Sequence, residues 1–155
     1  MPRLSLAFFS AAVLYGLIGM GWGAQMGMTE NFTLAAAHAH LNLLGWVTLS
    51  LMGGFYALAG ARAPTRLGWA NFTLSNLGVI VMIPALARLL SGERDAGGVV
   101  VAGTVITILG MLTFAAAVLS LWGRPAADQS ALARQDAMGE AGAWPQTSPA
   151  EPRST

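Results

Sequence analysis

The sequence predicts an all-α, polytopic membrane protein built from four transmembrane helices. Its 155 residues are 55% hydrophobic and only 10% charged, whereas soluble proteins average about 25% charged residues. Four apolar segments each reach the roughly 20 residues that a membrane crossing needs, and they cover residues 4–24, 34–59, 68–90 and 98–122. Because the connections are short, successive helices are expected to be antiparallel neighbours in one bundle.

The two ends of the chain need separate interpretations. Arg3 precedes the first apolar segment, as in a signal peptide, but the segment continues to Trp22 and no small-residue cleavage site follows it. We therefore predict a transmembrane helix there. After Trp122 the chain becomes rich in proline and polar residues. Such a composition cannot bury a core, and it predicts a disordered cytoplasmic tail over residues 123–155.

The distribution of arginine predicts the orientation in the membrane. Positive charge collects at the N-terminus, the second connection and the start of the tail, at Arg3, Arg62, Arg66 and Arg124. The first connection carries Glu30 and no positive charge. By the positive-inside rule, both termini are cytoplasmic in a bacterial-type inner membrane. The second helix then runs inward from the outer face, so its first residues lie in the outer part of the membrane.

Several classes of function are excluded by composition. The chain has no cysteine, which removes disulfides, thiolate iron–sulfur clusters, cysteine-ligated zinc and c-type haem attachment. A net charge of +1 gives no reason to expect a nucleic-acid partner. No carboxylate lies in a predicted span, so a proton relay of acidic residues is missing. A glycine-rich phosphate loop and a Ser/His/Asp set are also lacking.

His38 and His40 are the only histidines, and both lie in the second apolar segment. An ionisable residue inside a membrane span is a functional-site hypothesis by default, and imidazole is a common metal and haem-iron ligand. Two residues along a helix correspond to about 200° of rotation and about 3 Å of rise. The two rings therefore leave opposite faces of the helix, and each needs a ligand partner from elsewhere.

The second ligand that each histidine needs has two possible sources. Thioethers from the same chain are one source, although methionines this numerous are more often packing residues; the candidates are Met20, Met26, Met28 and Met52. Self-association is the more economical source, because contacts in a cyclic oligomer are head-to-tail. His38 of one subunit then faces His40 of the next, and each interface gains a bis-imidazole site suited to six-coordinate haem b.

Two further residues of the second helix are candidate contacts of this cofactor. Asn42 follows His38 by four residues, so it shares that face and can orient the ring or contact a haem edge. An interhelical hydrogen bond, typically worth about 0.6 kcal/mol in a membrane, explains Asn42 equally well. Trp46 can stack on a ring, and a place in the core is at least as good an explanation.

Two arginines at the outer end of the third helix lie on the same side of the membrane as the histidines. Guanidinium groups pair well with carboxylates such as haem propionates. We assign this role to Arg88 in preference to interfacial snorkelling. For Arg94 an ion pair with Glu93 or Asp95 is the favoured interpretation, with propionate binding as the second.

The segment from His38 to Trp46, HAHLNLLGW, resembles the catalytic subunits of haem–copper oxidases, especially the cbb3-type and nitric-oxide-reductase branch. In that family a His-x-His in one transmembrane helix ligates two haems from opposite faces. The family core has three sets of four helices around a pseudo-threefold axis, and the His-x-His helix is the second of its set. The resemblance implies a homotrimer of four-helix units, with Arg88 or Arg94 at a propionate position.

The sequence also departs from that family. It has no His-x-x-x-Tyr and no adjacent His-His pair, so the family's copper centre cannot be assembled. The leading hypothesis is therefore an electron-transfer haem b protein whose donor and acceptor are unknown. The alternatives are a haem enzyme acting on oxygen or nitric oxide, a non-haem copper-handling or assembly factor of a respiratory oxidase, and a purely structural subunit.

Overall fold

The structure is a computed structural model that describes residues 1–122 and Met138. In this part of the chain the secondary structure is all helical. It includes four helices long and apolar enough to cross a membrane, which we label α1 (Arg3–Thr29), α2 (Ala35–Arg62), α3 (Thr65–Leu90) and α4 (Gly97–Trp122). The tail predicted to be disordered, 123–155, lies outside the described residues apart from Met138.

Helix α1 is longer than the apolar segment from which it was predicted. That segment ends at residue 24, whereas the helix continues to Thr29 and stops where Glu30 adopts a left-handed conformation with φ of 51°. A polar residue such as Gln25 lowers hydropathy without breaking the helix, and Met26 beyond it is buried. The apolar segment therefore predicts that the helix is present but not where it ends.

Helix α2 changes its winding directly after the two histidines. It is α-helical over Ala35–His40, π-helical over Leu41–Thr48 and α-helical again over Leu49–Ala59, with a 3₁₀ turn at Gly60–Arg62. The hydroxyl of Thr48 donates to the carbonyl of Leu43, five residues earlier, at 2.8 Å. π-helical turns are rare and are often found at functional sites.

The helices pair in sequence order and antiparallel. Near the N-terminus of α1, the hydroxyl of Ser5 donates to the carbonyl of Gly53 at 2.8 Å, while near its C-terminus Gly23 faces His38. Helix α4 packs along α3 in the same manner, and α3 also contacts α1 and α2. This positions the N-terminal residues of α2 beside the C-terminal residues of α1 and α3.

Two apolar clusters fill the interior. In the first, near the N-terminus of α1, the ring of Phe8 stacks on Tyr56 at 5.3 Å and meets Phe72 edge-on at 5.1 Å. The second lies toward the histidines and contains Leu41, Val79, Met82 and Ile83. Most of α4 faces outward, since its buried residues are Gly103, Gly110 and Ala117. The four-helix bundle and the homotrimer stay predictions.

Candidate functional site

The two histidines of α2 occupy different surroundings. His38 is half-buried against α1, whereas His40 is exposed on the side of α2 that faces away from α1. This is the arrangement that a two-residue spacing on a helix requires. Within one subunit the two rings therefore cannot bind the same ion.

The ring of His40 is fixed by a hydrogen bond within its own helix. Its Nδ1 lies 2.7 Å from the carbonyl oxygen of Ala36. A carbonyl oxygen can only accept, so Nδ1 carries the hydrogen and donates it. In the neutral ring Nε2 then has a free lone pair. Metal-ligating histidines almost always donate the other ring N–H in this way, which fixes both the tautomer and the ring orientation.

The surface around His40 is apolar. Ala36, Leu43, Val47 and Leu51 follow the same side of α2, and all four are exposed. The exposed fractions of Leu43 and Leu51 are 59% and 69%. This face, residues 36–51 on the outward side of α2, combines one imidazole with apolar side chains, which is the chemistry that a macrocycle such as haem needs.

His38 is held between α1 and a neighbouring amide. Trp22 meets its ring edge-on, with 6.4 Å between the ring centroids and an interplanar angle of 86°. Asn42 Nδ2 donates to the His38 carbonyl at 3.0 Å and lies 3.3 and 3.4 Å from the two ring nitrogens. Asn42 is therefore a local partner of His38, as its position four residues later predicts.

A row of glycines on α1 makes room for these side chains, and sequence reasoning missed it. The row, which we call the α1 glycine stripe, consists of Gly16, Gly19 and Gly23. Each faces one side chain of α2, in the order Trp46, Asn42 and His38. The spacing of three and then four residues puts all three glycines on one face of α1. That spacing is the signal in the sequence that could have revealed the stripe.

The side chains of α2 approach the backbone of α1 closely at these glycines. A Cβ atom at Gly23 would lie 3.0 Å from Cε1 of His38, and one at Gly16 would lie 3.2 Å from Cγ of Trp46. Trp46 packs across Gly16 while 45% of its surface stays exposed. It is therefore neither a fully buried core residue nor a free stacking platform.

The arginines at the outer end of α3 have different partners from those expected. Arg88 Nη2 lies 2.6 Å from Glu93 Oε2 and 3.9 Å from Asp95 Oδ2. The expected pairing of Glu93 or Asp95 with Arg94 is not seen, and Arg94 forms no ion pair among the described residues. The reason is the helix end: the N–H of Glu93 donates to the carbonyl of Arg88 at 3.1 Å, which folds Glu93 back over Arg88 in a Schellman-type cap.

The methionines do not gather around the histidines. The sulfur of Met52 accepts from Asn71 and Ser75 in the other half of the molecule, and Met20 and Met28 are 60% and 80% exposed. In residues 1–122 no three His, Asp or Glu side chains are close enough to hold a metal ion together. A complete ligand set within one subunit thus has no support in the described part of the chain.

Comparison with known proteins does not assign the chain to a family. No protein-family model, no curated protein and no solved structure matches it.

Proposed function

We propose that this protein is a membrane haem b protein in which His38 of one subunit and His40 of the next bind one haem at each interface of a homotrimer. The observation that carries the proposal is the geometry of His40. Its Nδ1 is bonded to the carbonyl of Ala36 and its Nε2 is free on an exposed apolar face. An imidazole oriented in this way can bind a metal ion, and no other His, Asp or Glu among the described residues joins it, so further ligands would come from outside its own subunit.

The surroundings of the two histidines fit a bis-imidazole haem. The outward side of α2 offers His40 with apolar neighbours, and the opposite side offers His38, oriented by Trp22 and Asn42. In a head-to-tail ring His40 faces a neighbouring subunit directly, whereas His38 lies against α1 of its own subunit and meets a shared group only through the part of its surface that stays exposed. The resemblance of residues 38–46 to the haem–copper oxidases supports a threefold ring.

The arginines at the outer end supply a place for the carboxylates of such a group. Arg94 has no ion pair among the residues described and is available to a propionate. Arg88 is already paired with Glu93 at 2.6 Å, so it binds a propionate only by exchanging one carboxylate for another. Both side chains lie at the end of α3 that is predicted to face outward with His38 and His40.

Electron transfer is the activity that this ligand set favours. Haem b, when bound, supplies a one-electron couple. His38 and His40 would hold the group, and a site with two protein imidazoles would favour electron transfer over the binding of a gas molecule. Ala36 and Asn42 hydrogen-bond to His40 and to the His38 carbonyl, and the apolar face around His40 would contact the group. The membrane is predicted to be a bacterial-type inner membrane with both termini cytoplasmic.

The first experiment is the visible spectrum of the protein purified in detergent. A reduced sample is expected to show a b-type α-band, and His38→Ala and His40→Ala are each expected to abolish it. Leu58→Ala is the matched control, because Leu58 lies on the same helix outside the His40 face and is 92% exposed. A reduced sample without the band, especially one that contains copper on metal analysis, would overturn the proposal.

A mixing experiment tests whether the site is shared. Subunits carrying His38→Ala still have His40, and those carrying His40→Ala still have His38. In a randomly mixed ring about one quarter of the interfaces pair the two intact histidines. Co-expression is therefore expected to restore about a quarter of the band. A band in neither the single variants nor the mixture would contradict a site shared in this way, and a carbon monoxide shift of the reduced spectrum would contradict bis-imidazole ligation.

A further inference from the structure

A cavity lies at the opposite end of the molecule from the histidines. It has a volume of about 320 Å³ and is formed where α1 and α3 begin and α2 ends. Its walls include Arg3, Leu4, Tyr56, Thr65 and Trp69. Because α2 rises about 1.5 Å per residue from His38 to Ala59, the cavity is about 30 Å from the histidine site. It is therefore independent of the proposed haem site.

A buried chain of hydrogen bonds ends at this cavity. The hydroxyl of Ser75 donates to Asn71 Oδ1 at 3.0 Å, and Asn71 Nδ2 donates to the hydroxyl oxygen of Tyr56 at 3.1 Å. The direction is fixed because Oδ1 can only accept and Nδ2 can only donate. Tyr56 is fully buried, and no residue in the described part of the chain accepts its hydroxyl hydrogen. A cavity-lining tyrosine thus has one donor left over.

Among the described residues, the charge at the cavity has a single sign. Arg3 lines the wall and forms no ion pair with any described residue. The carboxylates of residues 1–122 are Glu30, Glu93 and Asp95, and all three follow the C-terminal ends of α1 and α3 at the other end of the molecule. Arg3 therefore has no counter-charge among the described residues, and its guanidinium favours an anionic ligand.

The local backbone adds to the same preference. Helices α1 and α3 both begin beside the cavity, at Arg3 and Thr65, without a side-chain cap and without an acidic residue in the first turn. The first N–H groups of a helix have no partner within it and carry partial positive charge. They supplement the two side-chain donors, the guanidinium of Arg3 and the hydroxyl of Tyr56.

We propose that this cavity binds the phosphate group of an anionic membrane phospholipid. The guanidinium and the tyrosine hydroxyl meet the phosphate oxygens, while Leu4 and Trp69 contact the glycerol and the start of the acyl chains. Two features favour a lipid over free phosphate: part of the wall is apolar, and the cavity lies at the end of four membrane-length helices. This end carries Arg3, Arg62 and Arg66 and is the predicted cytoplasmic side, where anionic lipids attract basic residues.

Native mass spectrometry of the full-length protein tests this assignment by titration with phosphatidylglycerol. The wild type is expected to retain the lipid, and Arg3→Gln and Tyr56→Phe are each expected to weaken binding at least fivefold. Arg66→Gln is the matched control, because it removes the same charge at the same end of the molecule outside the cavity wall. It is expected to change binding less than twofold. Tyr56→Phe removes the spare donor and also the acceptor of the buried Asn71 hydrogen bond, so folding of this variant is verified by circular dichroism. Exposed Arg3 can be replaced without disturbing the core.

Two results would overturn the proposal. Equal losses in Arg3→Gln and Arg66→Gln would mean that lipid is attracted by surface charge alone. Full displacement of phosphatidylglycerol by millimolar inorganic phosphate would assign the cavity to the free ion and reject the lipid. Retained lipid in the presence of phosphate, together with the losses in both cavity variants, supports the assignment. The measurement does not depend on haem, so its failure is distinguishable from failure of the proposed function.

Discussion

Glycines in the α3–α4 pair stand against the backbone of the neighbouring helix, whereas those of the α1 glycine stripe stand against side chains. A Cβ atom at Gly103 would lie 2.8 Å from both the Cα and the nitrogen of Met82. One at Gly23 would meet only the ring of His38, at 3.0 Å. The first contact cannot relax without moving a helix, while the second needs only a small movement of a ring.

The difference shows two uses of the same residue. In α3–α4, glycine lets two backbones approach closely, which is how helices associate in membranes where no hydrophobic effect drives them together. In α1–α2, glycine opens space between the helices that polar and aromatic side chains of α2 occupy. We therefore expect substitutions in the first pair to change stability and those in the second to change the site.

The largest effect is expected for Gly103→Ala. Because backbone atoms of Met82 block the added methyl group, α3 and α4 must separate, and overpacking of this kind costs about 1–3 kcal/mol of unfolding free energy. The measurement is reversible unfolding in mixed micelles followed by circular dichroism. Gly98→Ala on the same helix is the control, since nothing lies within 4 Å of its Cβ position. Equal unfolding free energies for Gly103→Ala and Gly98→Ala would contradict the close backbone contact proposed for α3 and α4.

An intermediate effect is expected for Gly19→Ala. The new Cβ would lie 2.8 Å from Cγ of Asn42, so the amide must swing away and lose its bond to the His38 carbonyl. We expect unfolding free energy about 1 kcal/mol below that of Gly27→Ala, which has open space and gains the same helix propensity. Labelled-histidine NMR is expected to shift the His38 signals and leave those of His40. Unchanged His38 signals would contradict the role given to Asn42.

The smallest effect on stability is expected for Gly23→Ala. The His38 ring needs to yield by only a few tenths of an ångström, so the unfolding free energy should stay within about 0.5 kcal/mol of the Gly27→Ala value. The His38 ring signals should nevertheless move, because the methyl group touches Cε1. Since the chain has two histidines, the assignment needs only His38→Ala and His40→Ala. Equal movement of both sets would mean a global change in α2.

Some local details of the site were beyond sequence reasoning. Hydropathy predicted that α1 ends at residue 24. Hydropathy measures the transfer of side chains to lipid and does not detect the left-handed residue Glu30, at which the helix stops. Proximity along the chain suggested Arg94 as the partner of Glu93, whereas the cap of α3 turns Glu93 back to Arg88. The π-helical winding over Leu41–Thr48 was not predicted. The proposed haem, the trimer and the roles of the arginines stay predictions.

The sequence by itself determined four apolar helices and the opposite directions of His38 and His40, because helix length and angular spacing are local properties of the chain. Only the tertiary structure decided which histidine faces α1. The α1 glycine stripe receives the His38, Asn42 and Trp46 side, which leaves His40 on the outside. The contact between α1 and α2 thus decides which histidine is covered, which the spacing of the two histidines along α2 does not.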